Sequence, residues 1–238
     1  MKVKKIILFI VEGITDETCL GYILSRILNN NEIRFESTCG DITSQMGINP
    51  NNVAAKVGEI VKDFSGKVFK ASDFAEIVHL VDMDGAYILD DQVVEKTPEI
   101  PRDPDKPQKP YYGNDQIFTD NIDGIRQRNL RKSEVLDRLV SLNKVWRTIP
   151  YSVYFFSCNL DHVLHREGNL FEKDKYIYAA RFEKDCDSPE KFFRIINAQE
   201  IIIPGNYNET WVFIKTEANS LRRYTNFRLF FTEPKNQR

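Results

Sequence analysis

The chain has 238 residues, a formal net charge of −2 and a hydrophobic fraction of 42%, enough to bury one good core and most simply a single α/β domain with additions. Its charge does not advertise a nucleic-acid binder, although a cluster of carboxylates that takes up a cation would leave basic surface elsewhere free to track phosphates. No apolar run approaches the ~20 residues that span a membrane, and Met1-Lys2 leads into a strand without a signal-peptide pattern, so a cytoplasmic protein is expected. Cys19, Cys39, Cys158 and Cys186 show no C-x-x-C spacing, so they are expected to be reduced core thiols.

In chain order, residues 6–11 form a continuous apolar run, the mark of a strand buried on both faces of a parallel sheet. Glu12-Gly13 follows, which puts Glu12 at the carboxyl edge of that sheet, where open α/β sheets bind ligands. Gly13 allows a tight turn. Thr15 is the expected N-cap of the next helix, with Asp16 and Glu17 in its first turn. Apolar residues at Leu20, Ile23, Leu24, Ile27 and Leu28 carry one buried stripe. A second strand over 33–38 and a helix over 53–64 follow, giving the β-α-β-α-β order of a parallel sheet with right-handed crossovers. The next strand starts at Ile77 and runs into Asp82-Met83-Asp84-Gly85. In an extended segment the two aspartates project to the same side, which suits joint coordination of a hard divalent cation.

Helix and strand patterns then vanish from 88 to 125. Pro98, Pro101, Pro104, Pro107 and Pro110 recur every third residue, the polyproline II repeat. The stretch reads either as a solvated insertion or as a stiff arm that contacts a partner or the substrate. Arg126, Arg128, Arg131 and Lys132 come next, either a solvated face or a phosphate-binding run. Ser133 is the expected N-cap of a helix to Leu142. Residues 151–165 read as a fourth strand and a short helix starting near Asn159, with Asp161 in its first turn. His162 and His165 share a face of that helix, a weak zinc signal without a further ligand, and His79 reads as structural. Beyond Gly168 the pattern is helical: 176–186, a helix capped by Ser188-Pro189-Glu190, one capped by Asn208, and one begun by Asn219-Ser220. Arg222 and Arg223 lie among aromatics there, a pairing that either stacks bases and holds phosphates or is core with solvated arginines.

A single Glu after the first strand and Asp-x-Asp after a later one, each followed by Gly, resembles the Toprim domain of topoisomerases, bacterial primases, recombination mediators and overcoming-lysogenization-defect (OLD) nucleases. Gly40 after the second strand extends the likeness. The aromatic strand at 151–156, then Ser, Asn and an acid before a Leu-rich helix, resembles the RloB-like and OLD-like branch, with Asp161 where Glu is more usual.

The resemblance covers roughly residues 4–168. It implies a Toprim (Rossmann-like) parallel sheet flanked by helices over 1–168, with the Pro-rich insertion at about 88–125 and a helical C-terminal extension over 169–238. It also implies an acidic site of Glu12, Asp82 and Asp84, with Asp161 as a possible fourth acid, holding Mg²⁺ or Mn²⁺. A topoisomerase needs a tyrosine on a further large domain and a primase usually a zinc-binding region, so the implied activity is that of a small metal-dependent nuclease on DNA or RNA, many relatives of which serve in phage defence. Arg126, Arg128, Arg131, Arg222 and Arg223 are the candidate nucleic-acid contacts. No G-x-x-x-x-G-K-[ST] loop occurs, so any ATPase would be a separately encoded partner. The rival from another class is a non-catalytic Toprim module that binds nucleic acid or protein; a third reading is phosphotransfer on small nucleotides.

Overall fold

The computed structural model describes residues 4–38 and 40–233; the expectation for Cys39 falls outside them. Strand β1 (Ile6–Val11) is apolar throughout and buried at every position. It lies second in a five-stranded sheet whose order is β2 (Glu32–Ser37), β1, β3 (Phe74–Asp82), β8 (Ile149–Phe156) and β7 (Lys144–Val145). The first four strands are mutually parallel, and β7 closes one edge as an antiparallel hairpin partner of β8.

From β1 the chain crosses outward through α1 (Ile14–Ile27) to β2, then back through α2 (Val53–Ser65) to β3 on the other side of β1. Right-handed crossovers in opposite directions place their helices on opposite faces of the sheet. In agreement, α1 packs with α5 (Glu172–Asp185) and α6 (Pro189–Ile196), whereas α2 packs with α3 (Ile122–Val140). The strand order therefore reverses between β1 and β3, and their carboxyl ends flank the crevice where doubly wound sheets bind ligands.

The stretch after β3 is more ordered than its sequence pattern suggests. Strands β4 (Val93–Glu95), β5 (Tyr111–Tyr112) and β6 (Ile117–Thr119) form a separate small sheet. Val93, Tyr112 and Ile117 bury against Cys158, Ala218 and Leu221, so the insertion shares a core with the C-terminal segment. The proline-spaced part is no free arm. Asp103 is buried and accepts from the Glu172 and Asp105 amides at 2.8 and 3.0 Å, and Lys109 Nζ donates to the Leu170 carbonyl at 3.0 Å. Strands this short carry too few residues for a two-residue alternation to be visible.

The helix expected from a Ser133 cap is capped twelve residues earlier, by Asn121, whose carboxamide accepts from Gly124 N at 3.0 Å, and it runs from Ile122. The basic run 125–132 is thus helical. Helix α1 starts at Ile14 rather than after Thr15, and the Asp16 carboxylate accepts from Gly13 N at 2.9 Å. Helix α4 (Leu160–His165) starts where the sequence puts it, with Asn159 as its cap, and Ser188 caps α6 as expected. Helix α7 (Tyr207–Ile214) is capped by Asn206, not Asn208. No helix begins at Asn219-Ser220. Instead, Asn226 Oδ1 accepts from the Phe155 amide at 3.0 Å and Thr225 Oγ1 donates to the Phe155 carbonyl at 2.6 Å, side-chain bonds to β8 that override local helical preference. Phe227 then packs its ring against Phe9, Tyr154, Phe156 and Phe192, tying the extension to the sheet. Cys19, Cys158 and Cys186 are free and buried. No helix among the described residues is long and apolar enough to cross a membrane.

Gly85 joins the main sheet to both additions. Its φ is +72°, and a Cβ there would stand 2.7 Å from Leu221 Cδ2 and 2.8 Å from Ile117 Cδ1. Overpacking of about 1–3 kcal/mol and left-handed strain of about 1–2 kcal/mol then add. Gly85→Ala is expected to lose about 2–5 kcal/mol in urea unfolding, and an unchanged midpoint would refute the packing described.

Candidate active site

The carboxyl ends of three adjacent strands deliver the acids. Glu12 follows β1, Asp41 follows β2 after a turn in which Gly40 N donates to the Glu12 carbonyl at 3.0 Å, and Asp82 is the last residue of β3. Glu12 Oε1 accepts from the Asp82 amide at 3.2 Å, and Asp82 Oδ1 accepts from the Leu160 amide at 2.9 Å, at the start of α4. Asp84 departs from the expectation of an extended Asp-x-Asp. Its φ is +49°, so its carboxylate turns away from that of Asp82. Three bonds hold this uncommon backbone: Asp84 N to Cys158 O at 2.7 Å, Gly85 N to Ser220 O at 3.3 Å, and Arg128 Nη2 to Asp84 O at 2.7 Å.

Asp84 turns toward Lys132. The Lys132 ammonium lies 2.6 Å from Asp84 Oδ2, 2.8 Å from Asp41 Oδ2 and 4.0 Å from Glu12 Oε1, and its side chain is wholly buried. Ligand atoms of Glu12, Asp41 and Asp84 lie within 4.8 Å of one another. A cation therefore sits beside this triad already, and it belongs to the protein. Burial would raise both aspartates, yet the ammonium outweighs it, holding Asp41 at about 2 and Asp84 below its ordinary value, with the Arg128 charge assisting at Asp84. For Lys132, burial favours the neutral amine, and the charges of Asp41, Asp84 and Glu12 override it, so its pKa lies well above normal.

The other carboxylates lie on the opposite side of this balance. Glu12, Asp16 and Asp82 line a cavity of about 450 Å³, together with Lys106 from the insertion and Glu172 and Lys175 from α5. Burial raises Glu12 well above the ordinary carboxylate range, with Asp41, Asp82 and Asp84 adding and Lys132 opposing. It does the same to Asp82, with Asp16 and Asp84 adding. Asp16 is pushed up to about 6 by burial, and Asp161 adds to this against the Gly13 amide. Asp161 is raised by burial against the pull of Lys175 and Lys109, and its Oδ1 stands 3.7 Å from His165 Nε2. Burial holds His165 at about 4, so that imidazole is neutral at pH 7.

The candidate nucleic-acid contacts are occupied within the protein. Arg126 donates to the Asp90 carbonyl, Arg131 to Ser44 O, Arg222 to Asp115 and Glu217, and Arg223 to the His162 and Val163 carbonyls. Arg128 is fixed by Tyr112 Oη, Asn129 and Asp84 O. His79 is buried against Tyr151 Oη at 2.8 Å. Two site residues escaped the reading of the sequence as such. Asp41 was signalled only by its place just beyond a strand end. Lys132 and Arg128 stand four apart on one face of α3, a relation that exists only because residues 125–132 are helical.

The donor set is all carboxylate oxygen, which suits Mg²⁺ or Mn²⁺ rather than softer metals. Lys132 already engages Asp41 and Asp84, so Glu12 and Asp82, which face the cavity, are the residues fitted to receive an added ion. In class, this is an α/β protein with a buried acidic centre at the switch point of a mainly parallel sheet. No family model matches the chain, no curated protein matches it in sequence, and no solved structure matches it.

Lys132→Met leaves Asp41 and Asp84 buried without their ammonium. The expected cost at pH 7 is about 3–5 kcal/mol, the scale for breaking a buried ion pair, read by chemical denaturation. The pH dependence separates this from lost packing. In the wild type, the depressed aspartates contribute stability that is present above the ordinary value of 3.8 and lost as pH falls toward about 2. In the variant those carboxylates are raised by burial, so lowering the pH from 8 to 5 restores stability. A deficit that does not shrink on acidification would refute the role given to Lys132.

Proposed function

We propose that this chain is a divalent-metal-dependent phosphodiesterase acting on nucleic acid, a small nuclease of the Toprim type. The observation that carries the reading is the concentration of raised carboxylates, Glu12, Asp16 and Asp82, on one cavity at the switch point of the sheet. Their mutual repulsion is what a hard dication relieves, and oxygen donors are what it prefers. Glu12 and Asp82 would hold the ion. When bound, the ion would supply a Lewis acid for a phosphoryl oxygen and lower the pKa of water.

The rest of the chemistry falls to the chain's own groups. Hydrolysis forms one P–O bond from water, breaks the ester P–O bond, takes a proton from the water and returns one to the departing oxygen. Glu12, whose carboxyl burial raises well above the ordinary range, is the group proposed for the first transfer. Lys132 keeps Asp41 and Asp84 ionised and ties the segment after β2 to the turn after β3, beside Glu12 and Asp82. Asp82 is aimed by the Leu160 amide.

The Lys132 ammonium also favours a second reading. A protein that neutralises its own acidic centre with a buried lysine has less need of a metal, as a non-catalytic Toprim module that binds nucleic acid or protein would. Two measurements separate the readings. With Mg²⁺ or Mn²⁺, the wild type is expected to cleave labelled single-stranded DNA, duplex DNA or RNA, and Glu12→Gln and Asp82→Asn are expected to lose at least about 10²-fold, the scale of a missing acid or base. Saturation with the metal at about 100 Kd should stabilise the wild type by about 2.7 kcal/mol and Asp82→Asn far less. Nucleic-acid binding with no cleavage, no thermal response to metal and no effect of Asp82→Asn would establish the module instead.

A further inference from the structure

The cavity that holds the acids also carries two ammonium groups, those of Lys106 and Lys175, on either side of Glu172 in the ion-pair network. Lys106 Nζ lies 3.0 Å from Glu172 Oε2, and Lys175 Nζ lies 3.9 Å from that same oxygen. Two ammonium groups thus share one carboxylate, and all three side chains line the cavity that also holds Glu12 and Asp82. Lys106 is 58% exposed and Lys175 28%, so both can exchange Glu172 for an anion brought from solvent. A shared oxygen is a weak claim on two cations, and a phosphodiester group offers more acceptor oxygens than it.

This wall is fixed in place. Lys106 belongs to the proline-spaced segment, which is anchored on both sides. Asp103 holds the first amide of α5, Lys109 Nζ donates to Leu170 O, and Lys96 Nζ donates to Lys109 O at 2.8 Å. Tyr112 and Asn169 exchange two bonds of 2.8 Å each. The segment and α5 therefore stand as one rigid unit across from the sheet edge and make a pocket of an edge that would otherwise be open. Its volume of about 450 Å³ is within the ~300–1,000 Å³ typical of small-molecule sites, room for a nucleotide-sized group and not for a base-paired rod.

We propose that the Lys106–Glu172–Lys175 wall is a phosphate seat for an unpaired polynucleotide strand, so that the substrate class is single-stranded nucleic acid or a frayed end rather than a continuous duplex. The inference rests on the phosphodiesterase reading for its chemistry. One phosphate lies between Lys106 and Lys175, displacing Glu172 from at least one of them, and the neighbouring phosphate reaches Glu12 and Asp82. The sugar and base linking them occupy the cavity. A continuous duplex cannot place the linking sugar and base in the cavity in this way without first unpairing them.

The test measures binding and hydrolysis separately. Fluorescence anisotropy in Ca²⁺ compares a labelled unpaired oligonucleotide, DNA and RNA in parallel, with the same strand in a blunt duplex. The unpaired strand is expected to bind at least tenfold tighter. Lys106→Glu, at an exposed position that leaves folding intact, should weaken it about tenfold. Lys106→Ala should lower the slope of log affinity against log salt by about 0.7, the value for one single-strand phosphate contact. Equal affinity for the duplex, or no change in affinity or salt slope in either variant, overturns the proposal. Metal-dependent hydrolysis of bis(p-nitrophenyl) phosphate by the wild type, a substrate too small to need the seat, reports on the phosphodiesterase reading alone. Its absence while unpaired strands still bind through Lys106 would remove the enzyme and leave the seat.

Discussion

The buried ammonium of Lys132 is the interaction on which the rest of the site depends. Desolvating a lysine completely costs several kcal/mol unless its partners are close and well oriented, and here they are Asp41 and Asp84 at 2.8 and 2.6 Å. To meet that demand, β2 must deliver Asp41, β3 must end in a left-handed turn at Asp84, and α3 must run close enough for its side chain to reach both. Arg128, one helical turn before Lys132, meets the backbone of the same turn by donating to the Asp84 carbonyl. One face of one helix therefore fixes both the charge and the backbone of the Asp-x-Asp-Gly turn. That is why α3 begins at Ile122, directly after the small sheet: a shorter helix starting at Ser133 would carry neither Arg128 nor Lys132.

The sheet topology explains where this happens. Because β1 sends its crossover to one side and β3 to the other, no connection covers the carboxyl ends of these two strands, and polar groups there need not be buried under a helix. The additions then partly enclose what topology leaves open. The insertion docks on the start of α5 through Asp103 and on the residues just before it through Lys109 and Tyr112, and the C-terminal segment docks on β8 through Thr225 and Asn226. Both meet at Gly85, whose missing side chain leaves room for Ile117 and Leu221 to approach the turn.

The features carried by local pattern were legible in the sequence. The unbroken apolar run at Ile6–Val11, the stripe of α1, the start of α4 near Asn159 and the cap Ser188 each depend on neighbours along the chain, and the structure has them where the pattern puts them. The positions of Glu12 and Asp82 at strand ends were legible for the same reason. What depends on tertiary contact was not. Two-residue strands such as Tyr111–Tyr112 have no period to read, and the turns at 219–228 are set by bonds to Phe155 rather than by their own composition. The Asp82 and Asp84 side chains diverge because bonds from Cys158, Ser220 and Arg128, remote in sequence, hold Asp84 in a backbone conformation that its residue type rarely adopts. Asp41 became part of the site only through Lys132, a partner 91 residues away.

The divergence of the two aspartates sorts the acids by function. Part-buried carboxylates of one chemical type end with pKa values on opposite sides of normal because Lys132 stands within hydrogen-bond distance of Asp41 and Asp84 but 4.0 Å from Glu12. Asp41 and Asp84 are locked as anions and serve as fixed structure, insensitive to what enters the cavity. Glu12, Asp16 and Asp82 are raised by burial first and by neighbouring carboxylates second, so their charge answers to any cation or proton that arrives. Where environments drive like groups apart in this way, the group left unsatisfied is the one able to change state during a reaction. A surface accident would not produce that division, since exposed acids are satisfied by water and stay near their ordinary values. The division requires burial, a cavity and one lysine placed to satisfy some of the acids and not the others.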